Sequence, residues 1–99
     1  MTSKLFRFHP EARQDFRESI VWYRSQSARV AVEFRVTVSD SIRQILQAPQ
    51  QYPKYLFGTR RLVLRRFPFS IIYLDDLGGI SIVAVAHGKR KPGYWKQRI

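Results

Sequence analysis

An almost continuous apolar run near the end of the chain, Ile80 to Ala86, constrains the fold more than any other feature. A strand with one solvated face alternates apolar and polar residues, whereas an unbroken apolar run is typical of a strand covered on both faces. We therefore predict that Ile80 to Ala86 is a central strand of a sheet. The pair His87-Gly88 ends it.

The first half of the chain predicts two helices. The first, Glu11 to Gln26, carries an apolar stripe at spacings of four, four and three: Ala12, Phe16, Ile20 and Tyr23. The second, Ala28 to Ala48, carries a stripe at spacings of four: Val30, Phe34, Val38, Ile42 and Leu46. Ser27 is a suitable N-cap for the second helix, and Pro49 ends it. Because the link is short, we expect an antiparallel helical hairpin.

Two strands are predicted between the helices and the apolar run. Arg61 to Arg66 alternates, with Leu62 and Leu64 on one face. Phe69 to Asp75 is the second strand, and Asp76-Leu77-Gly78-Gly79 after it is a hairpin turn. Gln50 to Gly58, before these strands, is predicted to be a loop whose aromatic side chains lie beneath the sheet.

A short first strand, Lys4 to His9, is predicted before the helices, and Pro10 suits the first turn of a helix. The predicted order is therefore β-α-α-β-β-β within a single domain, residues 1–99. We expect an α+β fold in which a small, antiparallel-dominated sheet packs against the helical hairpin.

The chain is strongly basic, with 18 Lys and Arg against 7 Asp and Glu and a net charge of +11. Residues 60–99 carry nine of these basic residues and two of the acidic ones, a net of +7. Such a balance favours a polyanionic partner: nucleic acid, an acidic protein or an anionic membrane surface. The alternative is a basic protein whose charges are scattered and solvated.

Several classes of function are disfavoured. The chain has no cysteine, which excludes disulfides, thiolate catalysis and cysteine-ligated zinc. It has no apolar run long enough to span a membrane and no secretory signal, so we expect a cytoplasmic protein. Asp75 and Asp76 precede a Gly-Gly turn, where aspartates bond their own backbone, so we expect no metal site and no cofactor.

The C-terminal tail combines basic and aromatic residues. Guanidinium groups pair with phosphates, and aromatic rings stack on bases. The residues expected to contact a target or nucleic acid are Lys89, Lys91, Trp95, Lys96 and Arg98. An equally weighted alternative is that Trp95 folds back to complete the core while the charges are solvated.

Two segments, RRLVLRRFPFSIIY (Arg60 to Tyr73) and VAVAHGKRKPGYW (Val83 to Trp95), together with the element order, resemble the RelE/ParE superfamily. These are toxins of type II toxin–antitoxin modules, including the ParE-like plasmid-stabilisation type. The resemblance implies a cytoplasmic growth inhibitor without a cofactor, neutralised by a cognate antitoxin in a hetero-oligomer. An acidic or amphipathic antitoxin segment is expected to bind the sheet and helices.

The resemblance leaves the target open between two mechanisms. ParE-type members poison DNA gyrase without established catalytic residues, whereas RelE-type members cut mRNA in the ribosome as metal-independent endoribonucleases. The residues that match a nuclease set are Arg61, Arg65, His87, Arg90 and Tyr94. Val63 and Ser70 stand where that set wants a lysine and an arginine, so the ParE-like mechanism is preferred and enzymatic activity stays undecided. A non-toxic basic module that binds protein or nucleic acid is the third hypothesis.

Overall fold

A computed structural model describes residues 5–99, which form two helices packed on a four-stranded sheet. The elements in chain order are β1 (Leu5–Phe8), α1 (Pro10–Gln26), α2 (Ala28–Gln47), β2 (Arg60–Val63), β3 (Phe69–Asp76) and β4 (Gly79–His87). Single 3₁₀ turns lie at Pro49–Gln51, Leu56–Gly58 and Lys96–Arg98. The predicted α+β class and β-α-α-β-β-β order are confirmed, while Lys4, predicted to begin the first strand, lies outside the described residues.

The sheet has the order β1-β4-β3-β2, so the apolar strand β4 is central, as predicted. β2, β3 and β4 form an antiparallel meander, whereas β1 runs parallel to β4. The sheet is therefore mixed, with two antiparallel pairings and one parallel pairing. A parallel neighbour is reached only by a long connection, and here everything from α1 to β3 lies between the two strands.

Gly79 allows β1 to approach β4. It pairs with Leu5 and has a φ of +123°, a conformation that residues with a side chain rarely adopt. A Cβ at this position would collide with the Leu5 carbonyl oxygen. The second glycine of the predicted turn is therefore part of the strand, and the turn itself is Leu77-Gly78.

Ser27 joins the two helices and satisfies backbone groups of both. Its backbone N–H donates to the Tyr23 carbonyl at 2.8 Å, and its side-chain oxygen accepts from the Val30 N–H at 3.3 Å. The prediction that Ser27 caps α2 is confirmed. Because a single residue separates the helices, they fold back on each other and present a shared apolar face to the sheet.

Phe34 lies at the centre of the core between the helices and the sheet and is fully buried. Its ring centroid is 4.9 Å from that of Tyr23 on α1 and 4.8 Å from that of Phe69 on β3. Phe67, from the connection between β2 and β3, packs edge-on to it at 5.2 Å. Such aromatic pairs add about 0.5–1.5 kcal/mol each beyond the area they bury.

Strand β2 ends at Val63, and the prediction that it continues to Arg66 is wrong. Phe67 enters the aromatic core and is 6% exposed, so the chain must leave the sheet before it. Leu62 and Leu64 are both buried, as the alternating pattern predicts.

The second face of the sheet is covered by the C-terminal tail. Trp95 is 1% exposed and packs with Ile72, Val83 and Ala84. Ile72 pairs with Ala84 while the next residue, Tyr73, pairs with Ile82, so Val83 is an extra residue in β4. A bulge of this kind twists the strand locally, and here both Val83 and Ala84 belong to the cluster around Trp95.

Replacing Gly79 by alanine tests the close approach of β1. We expect Gly79→Ala to lower the free energy of unfolding by about 3 kcal/mol, because backbone strain is compounded by collision with Leu5. Gly58→Ala is the matched control, since Gly58 has a φ of +76° and a Cβ added there would meet nothing within 4 Å. That variant bears strain alone and should lose about 1 kcal/mol. Urea unfolding measures both, and equal losses would contradict a steric role for Leu5.

Candidate functional site

Asp15 on α1 binds the C-terminal tail to the body of the protein. Its Oδ2 accepts from Arg98 Nη1 at 2.7 Å and from the Tyr94 hydroxyl at 3.0 Å, and its Oδ1 accepts from Arg98 Nη2 at 3.2 Å. The Asp15 and Arg98 side chains are only 9% and 10% exposed. A bidentate pair at this depth is far less screened by solvent than a surface pair.

The same pair closes an open edge of β4. The β1 pairing ends at Ile82, whose carbonyl accepts from the His9 N–H at 2.9 Å. Beyond it, Arg98 Nη1 donates to the Val83 carbonyl at 3.0 Å, and the Val85 N–H donates to Asp15 Oδ2 at 3.2 Å. Beyond the end of β1, the side chains of Arg98 and Asp15 thus form the hydrogen bonds that a neighbouring strand would form with the β4 backbone.

Tyr94 is held in its protonated form by this arrangement. Burial raises the pKa of its hydroxyl to about 12, and the adjacent Asp15 carboxylate contributes to the rise. The Tyr94 hydroxyl donates a hydrogen bond to Asp15 and is therefore engaged within the protein.

A cleft on the tail side of the sheet, here called the tail cleft, has a volume of about 120 Å³. Ile72 and Trp95 are the apolar residues of its lining that belong to the core. Its polar lining includes Arg61 from β2, Ser70 from β3, and Arg90, Lys91 and Tyr94 from the tail.

Aromatic rings position the two arginines of the tail cleft. The Arg61 guanidinium carbon lies 4.2 Å from the centroid of the Tyr55 ring, and that of Arg90 lies 3.7 Å from the Tyr94 centroid. Such cation–π contacts hold a guanidinium group while leaving its N–H donors available.

Four of the five residues predicted as a nuclease set line the tail cleft: Arg61, His87, Arg90 and Tyr94. The fifth, Arg65, is exposed in the connection after β2 and lines separate grooves beside Arg66. Ser70, which stands where the nuclease pattern has an arginine, also lines the tail cleft.

His87 lies at the end of β4, at the margin of the tail cleft. Its Nδ1 accepts from the Lys89 N–H at 3.0 Å, and its ring packs edge-on to Phe69 with centroids 4.9 Å apart. The ring therefore contacts a core residue of the helical side, and one of its nitrogens serves the turn that follows the strand.

The residues predicted to contact a target fall into two groups. Lys89, Lys91 and Lys96 are exposed. Trp95 and Arg98 are directed inward, since Trp95 completes the core and Arg98 pairs with Asp15. Trp95 thus takes the alternative position considered from the sequence, whereas Arg98, whose charge that alternative left solvated, is in a buried ion pair.

Asp15 and Tyr55 have roles that the sequence does not reveal. By sequence, Asp15 is only an acidic residue near a helix N-terminus, and Tyr55 is a loop aromatic without reactive chemistry. The one available signal for Asp15 is that it directly precedes Phe16, a member of the apolar stripe. The contacts of Asp15 cannot be inferred from spacing, because its partners lie 70 to 83 residues away.

A second groove, here called the α1 groove, lies on the helical side and has a volume of about 290 Å³. Half of its lining residues are Trp22 and Tyr23 of α1 and Phe69 of β3, and the others are Glu18, Ser19 and His87. Trp22 is 60% exposed and its neighbour Val21 is 63% exposed, so apolar surface continues along α1. Exposed apolar patches are typical of surfaces that bind a partner.

Two further features of residues 5–99 concern ligands and membranes. These residues contain no group of three or more histidine or acidic side chains placed to hold a metal ion. Neither helix within this range has the length and apolar character that crossing a membrane requires.

The chain is similar to known proteins in both sequence and fold. The family model for the "ParE toxin of type II toxin-antitoxin system, parDE" matches residues 6–92. Among solved structures, a chain of the "Chromosomal ParDE TA system from P. aeruginosa" is similar, with a TM-score of 0.76 and 19% identity. The match covers 86% of this chain and 96% of that one, and it shows a shared fold. No curated protein matches the sequence.

Replacing Asp15 by asparagine tests its role in holding the tail. We expect Asp15→Asn to lower the free energy of unfolding by about 3 kcal/mol, because Arg98 loses its buried carboxylate partner and keeps only the exposed Glu11, at 3.2 Å. Asp40→Asn is the matched control, since Asp40 pairs with Arg43 at 3.0 Å on an exposed surface. Its loss should stay below about 1 kcal/mol. Urea unfolding and hydrogen exchange at the Val85 amide measure the effect, and similar losses in both variants would refute the role.

Proposed function

Because this chain belongs to the ParE family of toxins from type II toxin–antitoxin systems, we propose that it arrests growth by binding DNA gyrase stoichiometrically. Gyrase and its DNA substrate place this action in the cytoplasm. A cognate antitoxin neutralises the toxin by occupying its surface in a hetero-oligomer. The proposal includes no catalytic step and no cofactor.

The engagement of Tyr94 and His87 in internal contacts carries the preference for binding over RNA cleavage. Metal-free cleavage of RNA needs a base for the 2′-hydroxyl and an acid for the leaving oxygen. The Tyr94 hydroxyl donates a hydrogen bond to Asp15, and its raised pKa makes it a weaker acid than an ordinary tyrosine. His87 accepts from the Lys89 backbone and packs on Phe69.

The basic residues near Tyr94 and His87 also favour binding over RNA cleavage. Ser70 occupies the position where the nuclease pattern has a phosphate-binding arginine, and Arg65 lies outside the tail cleft. The tail cleft therefore offers cations, while the two acid–base candidates in its lining, His87 and Tyr94, are held in internal contacts. Such a surface suits binding of an anionic partner more than bond cleavage.

The decisive experiment induces the protein in a bacterial host and examines both DNA and mRNA. We expect growth arrest, gyrase–DNA cleavage complexes trapped by detergent, inhibited supercoiling in vitro and intact mRNA. Cleaved mRNA beside unbroken DNA would overturn the proposal in favour of a ribosome-dependent nuclease. Harmless expression without a partner would instead indicate a non-toxic binding module.

A double variant separates binding from catalysis. In His87→Asn the amide oxygen can replace Nδ1 as acceptor for the Lys89 N–H, and Tyr94→Phe keeps the ring beneath Arg90. We expect the double variant to arrest growth like the wild type, because neither lost group acts chemically. Removing a general acid or base would lower a cleavage rate by about 100-fold or more.

His9→Asn is the matched control for the histidine change. His9 Nδ1 accepts from the Glu11 N–H at 3.0 Å, the same local geometry at a helix N-terminus. Protein levels are compared by immunoblot and folding by circular dichroism. A folded double variant that no longer arrests growth, beside an active His9→Asn, would contradict the binding mechanism.

The antitoxin segment is proposed to be acidic and amphipathic. The net charge of +11 attracts an acidic segment at long range, and the apolar α1 groove offers a place for its apolar residues. Electrostatic attraction acts mainly on the association rate, while short-range packing determines the dissociation rate.

Toxin–antitoxin association should therefore depend on salt. We expect the association rate constant to fall about tenfold as ionic strength rises from about 0.01 M to 0.15 M, because the screening length shrinks from about 30 Å to 8 Å. Replacing the exposed Lys89, Lys91 and Lys96 by glutamine should flatten this dependence and leave the dissociation rate nearly unchanged. Stopped-flow measurement tests it, and a salt-independent rate would count against the acidic segment.

A further inference from the structure

The tail cleft concentrates positive charge without internal neutralisation. Arg61, Arg90 and Lys91 line it, and none of its lining residues is acidic in the part of the chain that the structure describes. Some arginines elsewhere in the protein are paired with a carboxylate, such as Arg66 with Glu33 and Arg98 with Asp15. A cleft lined by charges of one sign focuses the electrostatic potential, and a positive one attracts anions.

The hydrogen-bond donors of this cleft are not used within residues 5–99. Arg61 and Arg90 are held by the Tyr55 and Tyr94 rings, and their guanidinium groups make no side-chain hydrogen bond or ion pair in this range. Ser70 lines the same cleft, and its hydroxyl group likewise makes no hydrogen bond to the described residues. Two oriented guanidinium groups and a hydroxyl group are therefore ready for an external acceptor.

The placement of the donor residues around the cleft favours a tetrahedral oxyanion. Arg61 is on β2, Ser70 is on β3, and Arg90 and Lys91 are on the tail, so the donors surround the cleft from three elements. A phosphate accepts hydrogen bonds from several directions, whereas a carboxylate accepts them mainly in its own plane. The volume of about 120 Å³ equals that of about four waters, which suits a single phosphate group.

The aromatic residues here do not offer stacking surfaces to bases. Tyr94 has the Arg90 guanidinium at 3.7 Å and that of Arg98 at 5.0 Å from its ring centroid. Tyr55 lies under Arg61, and Trp95 is 1% exposed. Base stacking requires a free ring face, so the cleft can contact a nucleic acid through its backbone and not through its bases.

We propose that the tail cleft binds one phosphodiester group of duplex DNA, with Arg61 and Arg90 as the principal ligands and no preference for base sequence. The site would anchor the toxin to the DNA segment that gyrase holds. The anion site itself stands on this geometry, whereas the choice of DNA as its source rests on the proposed function.

The test measures binding of the isolated toxin to a fluorescent, mixed-sequence DNA duplex by anisotropy across a salt series. We expect Arg61→Gln and Arg90→Gln each to weaken binding about tenfold, since a charge-assisted contact is lost. Each should also reduce the slope of log affinity against log salt by about one. A second duplex of different sequence should bind equally well.

Arg35→Gln is the matched control, because Arg35 is an exposed residue of α2, on the opposite side of the sheet. It removes the same charge and should change affinity by less than a cleft variant does. Circular dichroism confirms folding, and if Arg61→Gln unfolds, Arg90→Gln carries the test because its side chain is exposed.

Three results would overturn the proposal. The first is equal loss of DNA affinity in the cleft variants and in Arg35→Gln, which would indicate general attraction by a basic surface. The second is binding to single-stranded RNA but not to duplex DNA. The third is that the toxin binds a glutamate-rich peptide at the cleft and does not bind DNA. The DNA-binding assay contains no gyrase. Its failure would therefore leave the proposed inhibition of gyrase to be tested separately by the trapping experiment.

Discussion

The central strand β4 has two apolar faces, and the single helical layer can cover only one of them. The rest of the structure depends on how the second face is covered. The hairpin of α1 and α2 covers one face, centred on Phe34. The other face would be open to water if the tail did not fold back and place Trp95 against it. Asp15 makes this possible because its carboxylate binds Arg98 and Tyr94 from the tail and the Val85 N–H from the sheet. One carboxylate thus joins the helical layer, the central strand and the tail.

This arrangement explains why the candidate site combines structural and binding roles. Residues on the inner side of the tail, Tyr94, Trp95 and Arg98, are used to hold the fold. Residues on its outer side, such as Arg90 and Lys91, are presented to solvent around the tail cleft. A surface built in this way has well-positioned cations, while the Tyr94 hydroxyl and the Nδ1 atom of His87 are used in internal hydrogen bonds. Binding an anionic partner requires only the outer set, and this is the basis for preferring a stoichiometric toxin over a nuclease.

Much of the fold could be predicted because local patterns specify it. The stripes of α1 and α2, the Ser27 cap and the apolar run of β4 each reflect burial within a few neighbouring residues. Predictions were less accurate where distant packing decides the outcome. β2 is shorter than its alternating pattern indicates, because Phe67 is drawn into the aromatic core around Phe34. The parallel pairing of β1 with β4 could not be predicted from either strand alone, since Gly79 permits it only when Leu5 is brought beside it.

The sequence by itself determined the helices, the central strand, the excess of positive charge and the residues from which the site is drawn. These properties depend on composition and on periodicity along the chain. The tertiary structure alone decided which of the basic and aromatic tail residues face outward. Arg90 and Arg98 are both tail arginines next to Tyr94, yet Arg90 is exposed while Arg98 is buried against Asp15. That difference depends on a carboxylate 83 residues away in the sequence, and long-range electrostatic pairing leaves no local pattern to read.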